Sequence, residues 1–235
     1  MRTSSAAAPP LFEREDFRAV AGPALRPGGE ALTARLLDLA REQAPGLLGP
    51  GASVADIGCG RGASLRLLAA RGFRPIGLEP SAELLNEARS LAPEALLLRG
   101  RAEAVPLRGG TCQAALCECA LSVTSDPDAA LAEMRRILAP GGLLLLSDLY
   151  LRQSGGGCGN PAPGCASGAV TRLELESRLE RAGFALIVFE DHSRLLAELA
   201  ARLLFAGFER AELGLGCQGG ARPGYFLCIA RKEAP

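Results

Sequence analysis

The stretch Val54-Ala55-Asp56-Ile57-Gly58-Cys59-Gly60-Arg61-Gly62 sets an acid two residues ahead of three glycines at alternate positions. Glycine accepts positive φ and lets a ligand approach bare backbone. The amphipathic run from Ala63 to Arg71, closed by Gly72, reads as a helix whose N-terminus offers unpaired N–H groups. Ile76-Gly77-Leu78-Glu79 reads as a second strand, and Glu79 follows Asp56 by 23 positions. In nucleotide-binding α/β folds, a carboxylate near that spacing at the tip of strand two accepts hydrogen bonds from ribose hydroxyls. A glycine turn that merely reverses the chain needs no such second acid.

Other residue types also bear on chemistry. His192 is the single histidine, after Glu190-Asp191 at a strand-to-helix boundary, where a surface place in the first helical turn is the expectation over a general base. Arg26, between proline and glycines, is suited either to a bidentate carboxylate contact or to solvent. Of the eight cysteines, Cys59 reads as packing within the glycine turn, and Cys112, Cys117, Cys119 and Cys228 lie in or beside strands, where thiols behave as small hydrophobes. Cys158, Cys165 and Cys217 fall instead in glycine-rich stretches without periodicity. No Cys-x-x-Cys pair exists, which argues against a zinc knuckle, and no metal site is expected.

The elements that must position these groups alternate along the chain. Residues 1–29 read as a frayed tail and a turn-rich segment, and residues 30–235 as one domain. A helix carries Leu32, Leu36 and Leu39; strand one follows the 45–51 loop; Ser81 caps a helix bearing Leu84, Leu85 and Ala88. Residues 95–99 give strand three and 113–121 strand four, nearly continuous in small apolar residues as a strand buried on both faces requires. Asp126-Pro127 opens the next helix, and Pro140-Gly141-Gly142 turns the chain into strand five at 143–147. A Gly- and Pro-rich segment at 150–170 is expected to be a mobile lid. Thr171-x-x-Glu174 is a capping box for a helix closing at Gly183. Strand six at 185–189, a helix at 192–206 and a last strand at 225–230 complete the order. Such alternation argues an α/β fold with a doubly wound, Rossmann-like parallel sheet.

Glycines spaced Gly-x-Gly-x-Gly after an acid resemble motif I of class I S-adenosylmethionine (SAM) methyltransferases. The resemblance runs from about residue 30 to 232 and implies a mostly parallel seven-stranded sheet with the last strand antiparallel. It implies SAM as cofactor: Asp56, Gly58, Cys59, Gly60 and Gly62 around the methionyl part, Glu79 on the ribose, and Pro80, Ser81 and Leu84 flanking the adenine. Ala102 and Glu103 match the loop that reads the adenine edge, beside Arg101 where the family often has Asp. Cys117 and Glu118 match the strand-four end near the methionyl amine. The lid region, Cys165-Ala166-Ser167-Gly168-Ala169-Val170-Thr171, and Cys217 ahead of Gly224-Tyr225-Phe226 are similar to the metalloid-binding region of arsenite methyltransferases. That likeness implies Cys165 and Cys217, with Cys158 as a third, as ligands of a thiophilic acceptor. Those enzymes carry a further cysteine beyond motif I, near where Ser64 or Leu65 stands here.

Composition bounds the reading. In 235 residues, 26 basic side chains balance 26 acidic ones, and aromatics make up 4%. Without a basic stripe or an aromatic platform, a nucleic-acid partner is not expected. No apolar run approaches the roughly 20 residues needed to span a bilayer, and the first ten residues lack a signal-peptide core. A cytoplasmic enzyme with reduced thiols is therefore expected, acting on a small-molecule acceptor. Its rivals are methylation of oxygen, nitrogen or carbon in an ordinary metabolite, and a non-catalytic SAM-binding protein whose cysteines serve a metal or a partner.

Overall fold

The structure is a computed structural model, and it describes residues 11–152, 168–210, 212–213 and 222–234. In chain order it contains α1 (Glu15–Ala21), α2 (Gly29–Gln43), β1 (Ser53–Ile57), α3 (Ala63–Ala70), β2 (Arg74–Glu79), α4 (Ala82–Leu91), β3 (Leu96–Arg99) and β4 (Cys112–Glu118). There follow α5 (Pro127–Ile137), β5 (Leu138–Leu151), β6 (Val170–Thr171), α6 (Arg172–Arg181), β7 (Phe184–Asp191), α7 (Ser193–Phe205) and β8 (Pro223–Lys232). The sheet runs β3-β2-β1-β4-β5-β8-β7, with the two-residue β6 beside the end of β5. β1 to β5 pair in parallel, whereas β8 lies antiparallel between β5 and β7. Seven strands form the main path, as expected, and β6 adds an eighth.

Period-two alternation splits the core into two layers. Ala114, Leu116, Leu143, Leu145, Leu227 and Ile229 face α2 and α3. Their neighbours Ala115, Cys117, Leu144, Leu146, Cys228 and Ala230 face α5 and α6, where Met134, Ile137, Leu175 and Leu179 close the layer. Because the central strands are covered on both faces, their sequences carry almost no polar alternation.

The caps form as the sequence dictates. The Ser81 hydroxyl accepts from Leu84 N, Asp126 from Ala129 N ahead of Pro127, and Thr171 with Glu174 forms a complete capping box. Three expectations need correction. Strand four ends at Glu118 rather than at 121, because Cys119 takes a positive φ of 51° and a short 3-10 turn, Leu121–Val123, follows. Strand five continues to Leu151, since β8 supplies partners as far as Pro223. The segment read as tail and turns contains α1, whose Phe17 and Ala21 pack with Leu199, Leu203 and Phe208 in a third cluster. Of the lid expected at 150–170, residues 153–167 lie outside the described residues. No helix among the described residues is long and apolar enough to cross a membrane.

Candidate active site

Parallel strands bring their carboxyl ends to one edge of the sheet, and three acids stand there. Asp56 is next to last in β1, Glu79 is last in β2 and Glu118 is last in β4. All three are buried, and all line one cavity with the glycine turn. Its other walls come from Leu84 of α4, the 100–103 loop, residues 119–125 and the N-terminal segment through Phe12, Phe17 and Arg26.

The turn is fastened to β2, because Gly58 N and Cys59 N both donate to Leu78 O, at 2.8 and 3.0 Å. Gly60 has φ of +51° and open space where a Cβ would point, leaving backbone bare to the cavity. Gly62 serves packing instead: at φ +87°, its Cβ would lie 3.1 Å from Ala88 of α4. It does not line the cavity.

Glu79 is held in place by two backbone donors, Gly60 N at 3.0 Å to Oε2 and Ser81 N at 2.9 Å to Oε1. Burial raises its carboxyl above the ordinary range, and the two N–H groups oppose that rise. Each oxygen accepts one bond and keeps capacity for another. Ser81 thus acts through its cap and its N–H, and is not itself in the cavity wall.

Arg26 is 7% exposed, which corrects the solvent alternative. Its Nη2 lies 2.7 Å from Glu118 Oε2 and donates to Ser64 Oγ at 2.9 Å and to Thr33 Oγ1. Glu118 also accepts from Thr33 (3.0 Å), Ser64 (3.0 Å) and Ser147 (3.2 Å). A desolvated ion pair needs such saturation, since its lost hydration must be replaced by fixed donors. Glu118 is therefore already balanced. Asp56 is not: burial first, then the neighbouring Glu118, push its carboxyl up to about 8, with Arg26 opposing. Among the described residues, the buried side-chain atoms without a hydrogen-bond partner are Asp56 Oδ2 and Arg26 Nε. An orphaned acceptor and an orphaned donor thus belong to residues that line the same cavity.

Two further carboxylates hold the wall at 119–125. Glu103 accepts from Ser125 N (2.9 Å), Ser125 Oγ (2.7 Å) and Asp126 N (3.3 Å). The buried Asp148 accepts from Ser122 N (2.9 Å) and Ser122 Oγ (2.7 Å). Glu103 therefore fastens a loop as well as lining the cavity beside Arg101 and Ala102. Asp148, Thr33, Ser64 and Tyr225 are not among the site residues expected from the sequence. An acid closing the leucine run of β5 was the one visible signal among them.

The remaining sequence candidates separate cleanly. Cys59 lines the cavity with Pro80 and Leu84, and burial pushes its thiol up. Cys117 is fully buried in the layer facing α5, away from the cavity, because its neighbour Glu118 takes the opposite face of β4. Cys119, directly after β4, is partly buried and packs against the α2–α3 layer as expected, and it also lines the cavity with its sulfur 3.1 Å from Tyr225 Oη. Cys112 and Cys228 are core residues. His192 precedes α7 and contacts Glu190 at 3.0 Å, outside the cavity. Cys158, Cys165 and Cys217 lie outside the described residues.

An open sheet with β8 reversed between β5 and β7, and a glycine turn facing an acid on β2, defines the class I SAM-dependent methyltransferase fold. Residues 55–146 match the family model described as a methyltransferase domain. Malonyl-acyl-carrier protein O-methyltransferase of Serratia marcescens is 35% identical over 100 residues, 43% of this chain and 39% of that enzyme. The chain thus matches well under two thirds of the length of such curated relatives. Among solved structures, the [4+2]-cyclase SpnF superposes with a TM-score of 0.66 at 25% identity, covering 91% of this chain and 85% of SpnF. Geranyl diphosphate C-methyltransferase from Streptomyces coelicolor A3(2) shares the fold, with a TM-score of 0.67 at 19% identity over 87% of this chain and 76% of that one.

Proposed function

We propose that this protein binds SAM in the cavity at the carboxyl ends of β1, β2 and β4 and transfers its methyl group to a small-molecule acceptor. The observation that carries the reading is the pair of orphaned atoms, Asp56 Oδ2 and Arg26 Nε, beside the fixed carboxylate of Glu79. An α-amino acid end offers an ammonium to the first and a carboxylate to the second, and a ribose offers two hydroxyls to Glu79. Pro80 and Leu84 form the apolar wall for an adenine, with the backbone around Ala102 at its edge. Bound SAM supplies an activated methyl group, so little covalent chemistry is left to the protein. The residues of this chain hold donor and acceptor in line and keep water out, through the apolar cover of Leu11, Phe12, Phe17 and Leu25.

The fold alone does not decide the reaction, since one protein on it is a cyclase. A thiophilic acceptor such as arsenite would fall to Cys158, Cys165 and Cys217, whereas an ordinary metabolite would be methylated on oxygen, nitrogen or carbon. Glu79→Ala removes charge-assisted hydrogen bonds of roughly 1.5–3 kcal/mol and is expected to weaken SAM binding about ten- to a hundredfold by calorimetric titration. Unchanged affinity would place the ribose elsewhere. Turnover is tested by release of S-adenosylhomocysteine from SAM with arsenite and with a panel of hydroxyl, amine and carbon acids. SAM binding without turnover on any acceptor would favour the non-catalytic alternative.

A further inference from the structure

The cavity holds three buried carboxylates against one buried guanidinium, and the compensation is uneven. Glu118 takes the guanidinium of Arg26 and three hydroxyl donors. Glu79 takes two backbone N–H groups. Asp56 is 3% exposed, and its Oδ2 has no hydrogen-bond partner among the described residues. The titratable groups coupled to it are Glu118 from β4, Glu79 from β2, Arg26 from the segment before α2, the thiol of Cys59, and, from the opposite face of the sheet, the thiol of Cys117. Both carboxylates repel a second negative charge there, and neither thiol offers a positive one. An isolated buried charge of this kind is relieved by taking up a proton.

We propose that Asp56 carries a proton in the ligand-free protein and releases it to solvent when a cationic ligand enters beside it. The carboxyl O–H bond breaks, its electron pair stays on the carboxylate, and the proton passes to buffer. The inference rests on the SAM-binding reading above and deepens it: the site recognises positive charge by exchanging one cation for another. A carboxyl raised to about 8 agrees with this assignment. Capture then strengthens as pH rises toward that value, because less work is spent in expelling the proton. A ligand that has lost its positive charge no longer keeps Asp56 ionised and is held less firmly.

The test is calorimetric titration of the full chain with SAM near pH 7, in phosphate and in Tris, whose different ionisation heats report the protons released. That pH lies below the α-amino range of roughly 7.7–8.0 and keeps the ligand's own amine protonated. About one proton per SAM is expected. Neutral 5′-methylthioadenosine, which shares the nucleoside, should release almost none, as should SAM added to Asp56→Asn. If the variant does not fold, the wild-type protein still decides, because its proton release must fade as pH passes about 8. SAM binding with equal heats in both buffers overturns the proposal alone, as does equal release with 5′-methylthioadenosine. Absence of SAM binding overturns it together with the proposed function.

Discussion

Arg26 lies in a stretch of prolines and glycines that, by itself, says nothing of burial. Burial follows from what surrounds it: Glu118, Thr33 and Ser64 come from a strand and two helices and converge on one guanidinium. Removing one partner of such a pair leaves the other charge desolvated and alone. Arg26→Leu is therefore expected to cost about 3–5 kcal/mol, read from the urea midpoint. Replacing Glu118 by leucine in the same chain should recover much of that loss. A single variant within about 1 kcal/mol of wild type would show that solvent reaches Glu118 freely. Asp56 is the opposite case: no such set of donors offsets its burial, and desolvation raises its carboxyl and favours the protonated form proposed for the ligand-free protein.

Among the elements, α3 and the turn before it do most to shape the site. Gly60 and Gly62 have the same residue type and the same sign of φ, yet different work. Gly62→Ala places a Cβ against the backbone of α4 at an unfavourable φ, and should cost about 1–3 kcal/mol. For a chain of this size, each kcal/mol lowers the melting temperature by roughly 2–4 °C. Gly60→Ala meets open space, so it should lower the melting temperature less while weakening SAM binding more. Equal melting temperatures for wild type and Gly62→Ala would mean that α3 and α4 separate at little cost. The 119–125 wall has a similar division of labour, with Glu103 and Asp148 fastening it from two sides while Ala120 and Val123 face the cavity.

Across the whole molecule, the doubly wound sheet was legible because helical and strand periodicities alternate, and the caps at Ser81, Asp126 and Thr171 mark real helix starts. The cluster of acids and glycine around the cavity was legible for a related reason: Asp56 and Glu79 sit at the ends of β1 and β2, Gly60 in the turn between β1 and α3, and one βαβ unit sets their spacing. The rest depends on contacts distant in sequence. Helix α1 is held by Phe208 and α7, nearly two hundred residues away, so its short sequence gave no signal of its own. Cys117 and Glu118 were read together, yet the pleat sends adjacent residues to opposite faces. Asp148 reaches the 119–125 wall through the pairing of β5 with β4, and Tyr225 reaches Cys119 and Ser147 through the pairing of β8 with β5, neither of which local pattern encodes.

The acids at the ends of β1 and β2 are proposed to hold an adenosyl amino acid. A crystal structure of the full chain with S-adenosylhomocysteine tests it most directly. The expected result is ribose hydroxyls on Glu79, the amino-acid end between Asp56 and Arg26, and adenine against Leu84 and Ala102. A nucleoside bound elsewhere, or a cavity left vacant at saturating ligand, would contradict it.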